Sequence, residues 1–321
     1  MGYGSYSHSA HMDLLASRSG ASVEQVFTQT ACHNLMNPKG LKVREARDSA
    51  EHPQSLAIIF ALDVTGSMGN IPPQLATKTL PRFMALLEQC KVADPQVLFM
   101  AVGDADCDRA PLQVGQFETT AELMDKWLTM SYLEGGGGGN SYESYDLAFY
   151  IAAKHTDIDC WNKRRKKGYL FITGDEPYSD VVSRHHIEGL IGNKLDEDIP
   201  IAEVVAAAAE MYHLFFLVPD YPRREGCEKV WRELLGDHVI CMQAPEHTSI
   251  VAAVIVALTE GLVTSIDGLI NVLYAAGYNR DHVGPILQAV QDYADTLDPK
   301  AFSELRSGSA GNPSWWKKLF G

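Results

Sequence analysis

Positive charge is scarce in this sequence. Its 27 lysines and arginines face 41 aspartates and glutamates, a net charge of -14 over 321 residues. Nucleic-acid phosphates are held by clustered Lys and Arg, so this balance speaks against a general nucleic-acid binder. The one basic run, Lys163 to Lys167 (KRRKK), is short and reads as a solvated helix end or loop. Cysteine offers no framework either. The six cysteines are widely spread and none forms a CxxC pair, so no structural zinc site of that kind is expected. Several lie in apolar contexts where a reduced, buried thiol is ordinary. The opening MGYGSYSHSA lacks the apolar stretch of a secretory signal, and Tyr6 breaks the myristoylation pattern. The longest apolar candidate, Ile250 to Leu258, is too short to span a bilayer. A cytoplasmic protein without membrane contact is the expectation. No Walker loop, GxSxG elbow or Cys/His pairing is present.

What the sequence does have is rhythm. Residues 1 to about 50 are polar and weakly patterned, with one candidate helix at Ser22 to Leu35. From Leu56 onward, short apolar runs alternate with helical stretches. The runs are LAIIFAL, VLFMAV (97–102), LQVGQF (112–117), YLFIT (169–173), HLFFLV (213–218) and HVICM (238–242). Helical patterns fall near Leu80 to Cys90, Ala121 to Met130, Tyr142 to Lys154, Ile201 to Met211, Glu225 to Leu235 and Thr248 to Leu262. Thr119 and Glu122 read as a capping box, and Pro81 fits the start of a helix. Continuous apolar strands separated by helices signal a mostly parallel sheet covered on both faces. VLFMAV and LQVGQF follow each other without a helix, which predicts one antiparallel edge strand. Two further helices are expected at Ile266 to Ala276 and His282 to Thr296. This divides the chain into an N-terminal extension (1–50), an α/β domain (51–262) and a C-terminal helical extension with a tail (263–321).

The segment that carries chemistry is IIFALDVTGSMG, Ile58 to Gly69. A buried strand ends at Asp63, and two hydroxyls follow at Thr65 and Ser67. Open α/β sheets bind ligands at the carboxyl ends of their strands. Asp175, just after YLFIT, would point into the same crevice. One carboxylate and two alternating hydroxyls make a hard, oxygen-only set that suits Mg²⁺ or Mn²⁺. The same residues could instead cap an ordinary strand-to-helix turn. The second aspartate and the strand rhythm favour the metal.

DVTGSMG resembles the Asp-x-Ser/Thr-x-Ser signature of von Willebrand factor A (vWA) domains, with their metal-ion-dependent adhesion site (MIDAS). The resemblance covers about Leu56 to Leu262 and includes the strand order, a glycine-rich second loop and a third-loop aspartate. It implies a doubly wound six-stranded sheet, a divalent cation, and protein–protein interaction rather than catalysis. It also implies an intracellular bacterial type, whose partners include MoxR-type AAA+ ATPases or larger assemblies. Asp63, Thr65 and Ser67 correspond to the first-loop ligands and Asp175 to the third-loop aspartate, which usually acts through water. The second loop departs from the family pattern. Where a Thr usually follows the glycines, this chain has GGGGGNSYES (135–144). That leaves Asn140, Ser141 and Glu143 as alternative or joint ligands. A partner's acidic residue would complete the metal's coordination.

Two other classes compete. An Asp at a strand end with a hydroxyl two residues on resembles haloacid dehalogenase-type phosphatases, but those need a second Asp where Thr65 stands. A structural subunit with a vestigial site is the third reading. Elsewhere, Asp104, Asp106 and Asp108 read as a solvated hairpin turn, and His185 and His186 as surface residues. The tail Trp315–Phe320 (WWKKLF) reads equally as a docking peptide or as a segment packed on its own domain.

Overall fold

The structure is a computed structural model that describes residues 4–69, 71–74, 79–135 and 142–297. Its centre is a six-stranded sheet formed by β1 (Leu56–Asp63), β2 (Pro95–Val102), β3 (Leu112–Val114), β4 (Gly168–Thr173), β5 (Tyr212–Val218) and β6 (Val239–Cys241). The order is β6-β5-β4-β1-β2-β3. All neighbours are parallel except β3, which runs antiparallel to β2 at the edge. The expected doubly wound α/β sheet, with its one antiparallel edge strand, is what the chain forms.

Alternation along β1 explains why the sheet is double-faced. Ile58, Phe60 and Leu62 join one apolar cluster, while Ala57, Ile59 and Ala61 join the other. On the first face Phe60 is in register with Phe99 on β2 and Phe171 on β4, and Phe171 with Phe215 on β5. Their rings stack with centroids 6.0, 5.3 and 5.3 Å apart, forming a row across four strands.

Helices cover both faces. After α1 (His8–Ser17), the main ones are α2 (Leu80–Gln89), α3 (Ala121–Thr129), α4 (Asp146–Lys154), α5 (Ile201–Met211), α6 (Arg224–Leu235), α7 (Thr248–Thr259), α8 (Ile266–Ala275) and α9 (Arg280–Leu297). The phenylalanine face packs under α2, α7, α8 and α9, and the opposite face under α4, α5 and α6. Helix α7 is apolar all round and buried from Thr248 to Leu258. It lies against both α2 and α9, so the C-terminal helices shield the side turned away from the sheet. No helix among the described residues is long and apolar enough to cross a membrane.

Several local expectations need correction. The polar N-terminus folds as α1, which the weak pattern did not reveal, whereas Ser22–Leu35 yields only one turn, Val23–Val26. The FTQTACHN run that follows has no helical apolar periodicity, so the helix stops after a turn held by its own backbone bonds and the Ser22/Gln25 capping box. The N-cap of α3 is Thr120, which accepts from Leu123 N, while Thr119 bonds the carbonyl of Gly4. Helix α4 starts at Asp146 rather than Tyr142, because Glu143 is held extended in a bridge beside Tyr178. The basic run is not simply solvated. Lys163 and Arg164 pair with Asp48, Lys163 with Asp159, and Lys166 with Glu260. The N-terminal residues are tied in as well: Arg18 forks onto Asp125 at 2.6 and 2.5 Å, and Arg44–Ala46 pairs with Thr156–Ile158.

Candidate metal centre

Chain reversal at the sheet centre creates the crevice. From β1 the chain first adds β2 and β3 on one side, then crosses to place β4 on the other. The carboxyl ends of β1 and β4 therefore flank the switch point, where such sheets bind ligands. Asp63 is the last residue of β1, and Asp175 follows β4 by two residues.

Past Asp63 the chain turns sharply. Thr65 is extended, Gly66–Met68 forms a single 3₁₀ turn, and Gly69 takes a positive φ of 51°. The turn folds the hydroxyls back over the strand end. Asp63 Oδ1 accepts from Thr65 N at 2.9 Å and from Thr65 Oγ1 at 2.6 Å. Thr65 Oγ1 and Ser67 Oγ lie 3.2 Å apart, and Ser67 Oγ donates to Asp175 Oδ1 at 2.9 Å. The four side chains thus form one continuous oxygen chain. Asp63, Thr65, Ser67 and Asp175 are brought together as the spacing implied.

Glu143 sits at the wall of the same crevice. It is 7% exposed, and its Oε2 is buried without a hydrogen-bond partner. Burial first, then the negative charges of Asp63, Asp104, Asp108 and Glu176, push its carboxyl up to about 9. Asp63 is fully buried, and burial raises it to about 7 against the opposing pull of its bonds from Thr65 and Tyr145. The chain of Asp63, Thr65, Ser67 and Asp175 presents oxygens only, and a hard divalent cation fits that donor set. Thr65 Oγ1, Ser67 Oγ, Asp63 and Asp175 are the described groups that would hold it, and Glu143 makes no hydrogen bond to any of them. Asn140 and Ser141 lie outside the described residues.

The aspartate-rich loop differs from its expectation. Asp104 is 1% exposed rather than solvated, and its carboxylate accepts from Asp106 N and Cys107 Sγ. Asp108 Oδ2 in turn accepts from Asp104 N at 2.7 Å. The loop is a self-capped turn whose negative charge helps to raise the Glu143 carboxyl, while Asp106 stays exposed. His186 remains peripheral, 3.1 Å from Asp106.

Two residues of the site escape sequence reasoning. Tyr145 is fully buried between Phe216 and Trp231, and its phenol donates to Asp63 Oδ2 at 2.6 Å. Gly174 is glycine because of it: a Cβ there would lie 2.4 Å from the Tyr145 oxygen. Arg223, in the 3₁₀ turn Tyr221–Arg223 after β5, donates to Asp175 Oδ2 at 2.5 Å and to the carbonyl of Ser67. Its Nε donates to Asp220 Oδ2 at 2.8 Å. The site thus carries a built-in positive charge. The one available signal is that Asp220 follows a strand end, as Asp63 and Asp175 do.

No protein-family model matches the sequence, and no curated protein sequence matches it. Many solved structures are similar in chain path, three of which serve as examples. One is the pilus adhesin SpaC from Lactobacillus rhamnosus GG in its open conformation, with TM-score 0.42 and 11% identity over 70% of this chain and 33% of that one. A second is proximal thread matrix protein 1 from the mussel byssus with a zinc-occupied MIDAS motif, with TM-score 0.39 and 10% identity over 67% and 48%. A third is the vWF domain of the type V pili tip protein Mfa5 from Porphyromonas gingivalis, with TM-score 0.39 and 8% identity over 65% and 95%. This chain spans about a third of the SpaC structure and about half of the byssus protein.

Proposed function

We propose that this chain is a metal-dependent protein–protein interaction module of the von Willebrand factor A type. One observation carries the reading: Ser67 Oγ lies within hydrogen-bonding reach of both Thr65 Oγ1 and Asp175 Oδ1, which joins two strand ends into one oxygen cradle. Thr65 and Ser67 would hold Mg²⁺ or Mn²⁺ directly, with Asp63 and Asp175 direct or through water. When bound, the cation supplies an electrophilic centre whose coordination an Asp or Glu of the partner completes. Hydroxyl ligands carry no charge, so the cradle leaves much of the cation's charge for that carboxylate.

Arg223 supports the same reading. Glu143 adds a negative group that would weaken attraction for an acidic partner. Arg223 adds a positive group at the rim, 2.5 Å from Asp175, and offsets it. A binding role rather than catalysis is supported by Asp63 itself. Its carboxylate is fully buried with both oxygens hydrogen-bonded, which is poor presentation for a nucleophile. A MoxR-type AAA+ ATPase or a larger assembly is the partner class the vWA resemblance implies, and the cytoplasm is the compartment we assign.

The test has two arms. Mg²⁺ or Mn²⁺ should raise the melting temperature of the wild type in a concentration-dependent way, and Asp63→Ala should lose that response. Partner capture should fail for Asp63→Ala and for wild type in EDTA. Equal recovery of the same partners in all three conditions overturns the reading.

A further inference from the structure

Several buried and half-buried histidines of this fold bond to oxygen, although His11 Nε2 is also buried without a partner. His155 Nδ1 meets the carbonyl of Lys42, and His238 Nδ1 that of Leu214, both at 2.8 Å. One pair differs. His247 and His282 face each other nitrogen to nitrogen, Nε2 to Nδ1, at 2.9 Å. Their rings stand at 85°, so they do not stack, and His247 Nδ1 is buried with no hydrogen-bond partner. The carboxylate of the exposed Glu246 is the third member: one ligand atom from each residue lies within 4.8 Å of the others.

We propose that Glu246, His247 and His282 form a second metal site, specific for a zinc-type transition ion and separate from the oxygen cradle. Two neutral imidazoles meeting nitrogen to nitrogen share only one proton between the facing atoms. With the proton on the far nitrogen of each ring, both near nitrogens present lone pairs to a common point. Crossed rings and a carboxylate complete an N,N,O set that suits Zn²⁺, Co²⁺ or Ni²⁺ and not Mg²⁺. His247 is the N-cap residue of α7, and His282 lies in the first turn of α9. Glu246, facing solvent, supplies the negative charge and leaves the fourth position open to water or an outside ligand. The ion would pin the start of α9 to the start of α7.

The experiment is Co²⁺ titration of the full chain with Mg²⁺ in excess, followed by visible absorption. Wild type should develop the intense bands of four- or five-coordinate, nitrogen-ligated cobalt, and Zn²⁺ should displace them. Glu246→Gln, which alters only an exposed side chain, should weaken Zn²⁺ affinity about tenfold. His282→Gln, checked for folding by circular dichroism, should abolish the bands and the Zn²⁺-induced rise in melting temperature while keeping the Mg²⁺ response. Weak six-coordinate bands in wild type, near-ultraviolet thiolate absorption marking cysteine ligation, or spectra unchanged in both variants would each overturn the proposal.

Discussion

The phenol of Tyr145 donates to one oxygen of Asp63 at 2.6 Å, while Thr65 donates both of its bonds to the other oxygen. A residue 82 positions away in sequence thus fixes the rotation of the carboxylate. Tyr145→Phe removes the donor and leaves a buried carboxylate oxygen unpaired. The metal-free protein should lose about 1–3 kcal/mol of stability, measured by urea unfolding. A loss below about 0.5 kcal/mol would mean that the bond does not restrain Asp63.

Gly174 should tolerate no side chain. An added Cβ would sit 2.4 Å from the Tyr145 oxygen and 2.5 Å from Cζ, and Tyr145 is packed too tightly to retreat. Gly174→Ala should cost roughly 1–3 kcal/mol, the usual scale of overpacking. Adding Tyr145→Ala should bring no second full penalty, because the two changes share one space. Strict additivity in that double mutant would disprove the clash.

Arg223→Ala should separate the metal from the partner. Without the guanidinium, the negative charge of Asp175 is unopposed and Ser67 loses its carbonyl contact. Calorimetry should show Mg²⁺ binding severalfold tighter, and partner capture should weaken. Loss of both together would recast Arg223 as a brace for the loop.

Acid should loosen the fold through His213. Burial first, then the positive charges of Lys167 and His238, lowers this imidazole from its ordinary value to about 4. The folded state therefore takes a proton less readily than the unfolded chain. The neutral ring's contribution is complete above about pH 6.5 and is lost as the pH falls toward 4. The loss is on the order of 1–3 kcal/mol at the lower end. His213→Gln should flatten the pH dependence of the melting temperature in that window, and an unchanged slope would assign it to other groups.

How much of this was legible in the sequence depends on range. Asp63, Thr65 and Ser67 lie within one turn, so their alternation alone predicts convergence. Asp175 was legible because strand ends gather at one edge of a parallel sheet. Arg223 and Tyr145 were not, because their roles depend on packing between loops far apart in sequence. Asp104 misled because acidic turns are usually wet, whereas this one is buried with its carboxylate bonded inside its own loop. Helix α1 is amphipathic only weakly and is held by contacts with α2 and α3, which no local pattern records. The tail Trp315–Phe320 lies outside the described residues.

Helix α7 imposes an order on synthesis. It emerges with Val251, Val254 and Ile255 ready to pack, yet α9, which lies against it, ends only at Leu297, 38 residues after Thr259 (297 − 259). At about 5–20 residues per second, translation leaves that apolar surface uncovered for roughly 2–8 s. The nascent chain therefore passes through a stage in which its sheet can form but its sticky outer layer cannot close. Any fragment ending near residue 262 would be arrested at that stage, a ready client for chaperones.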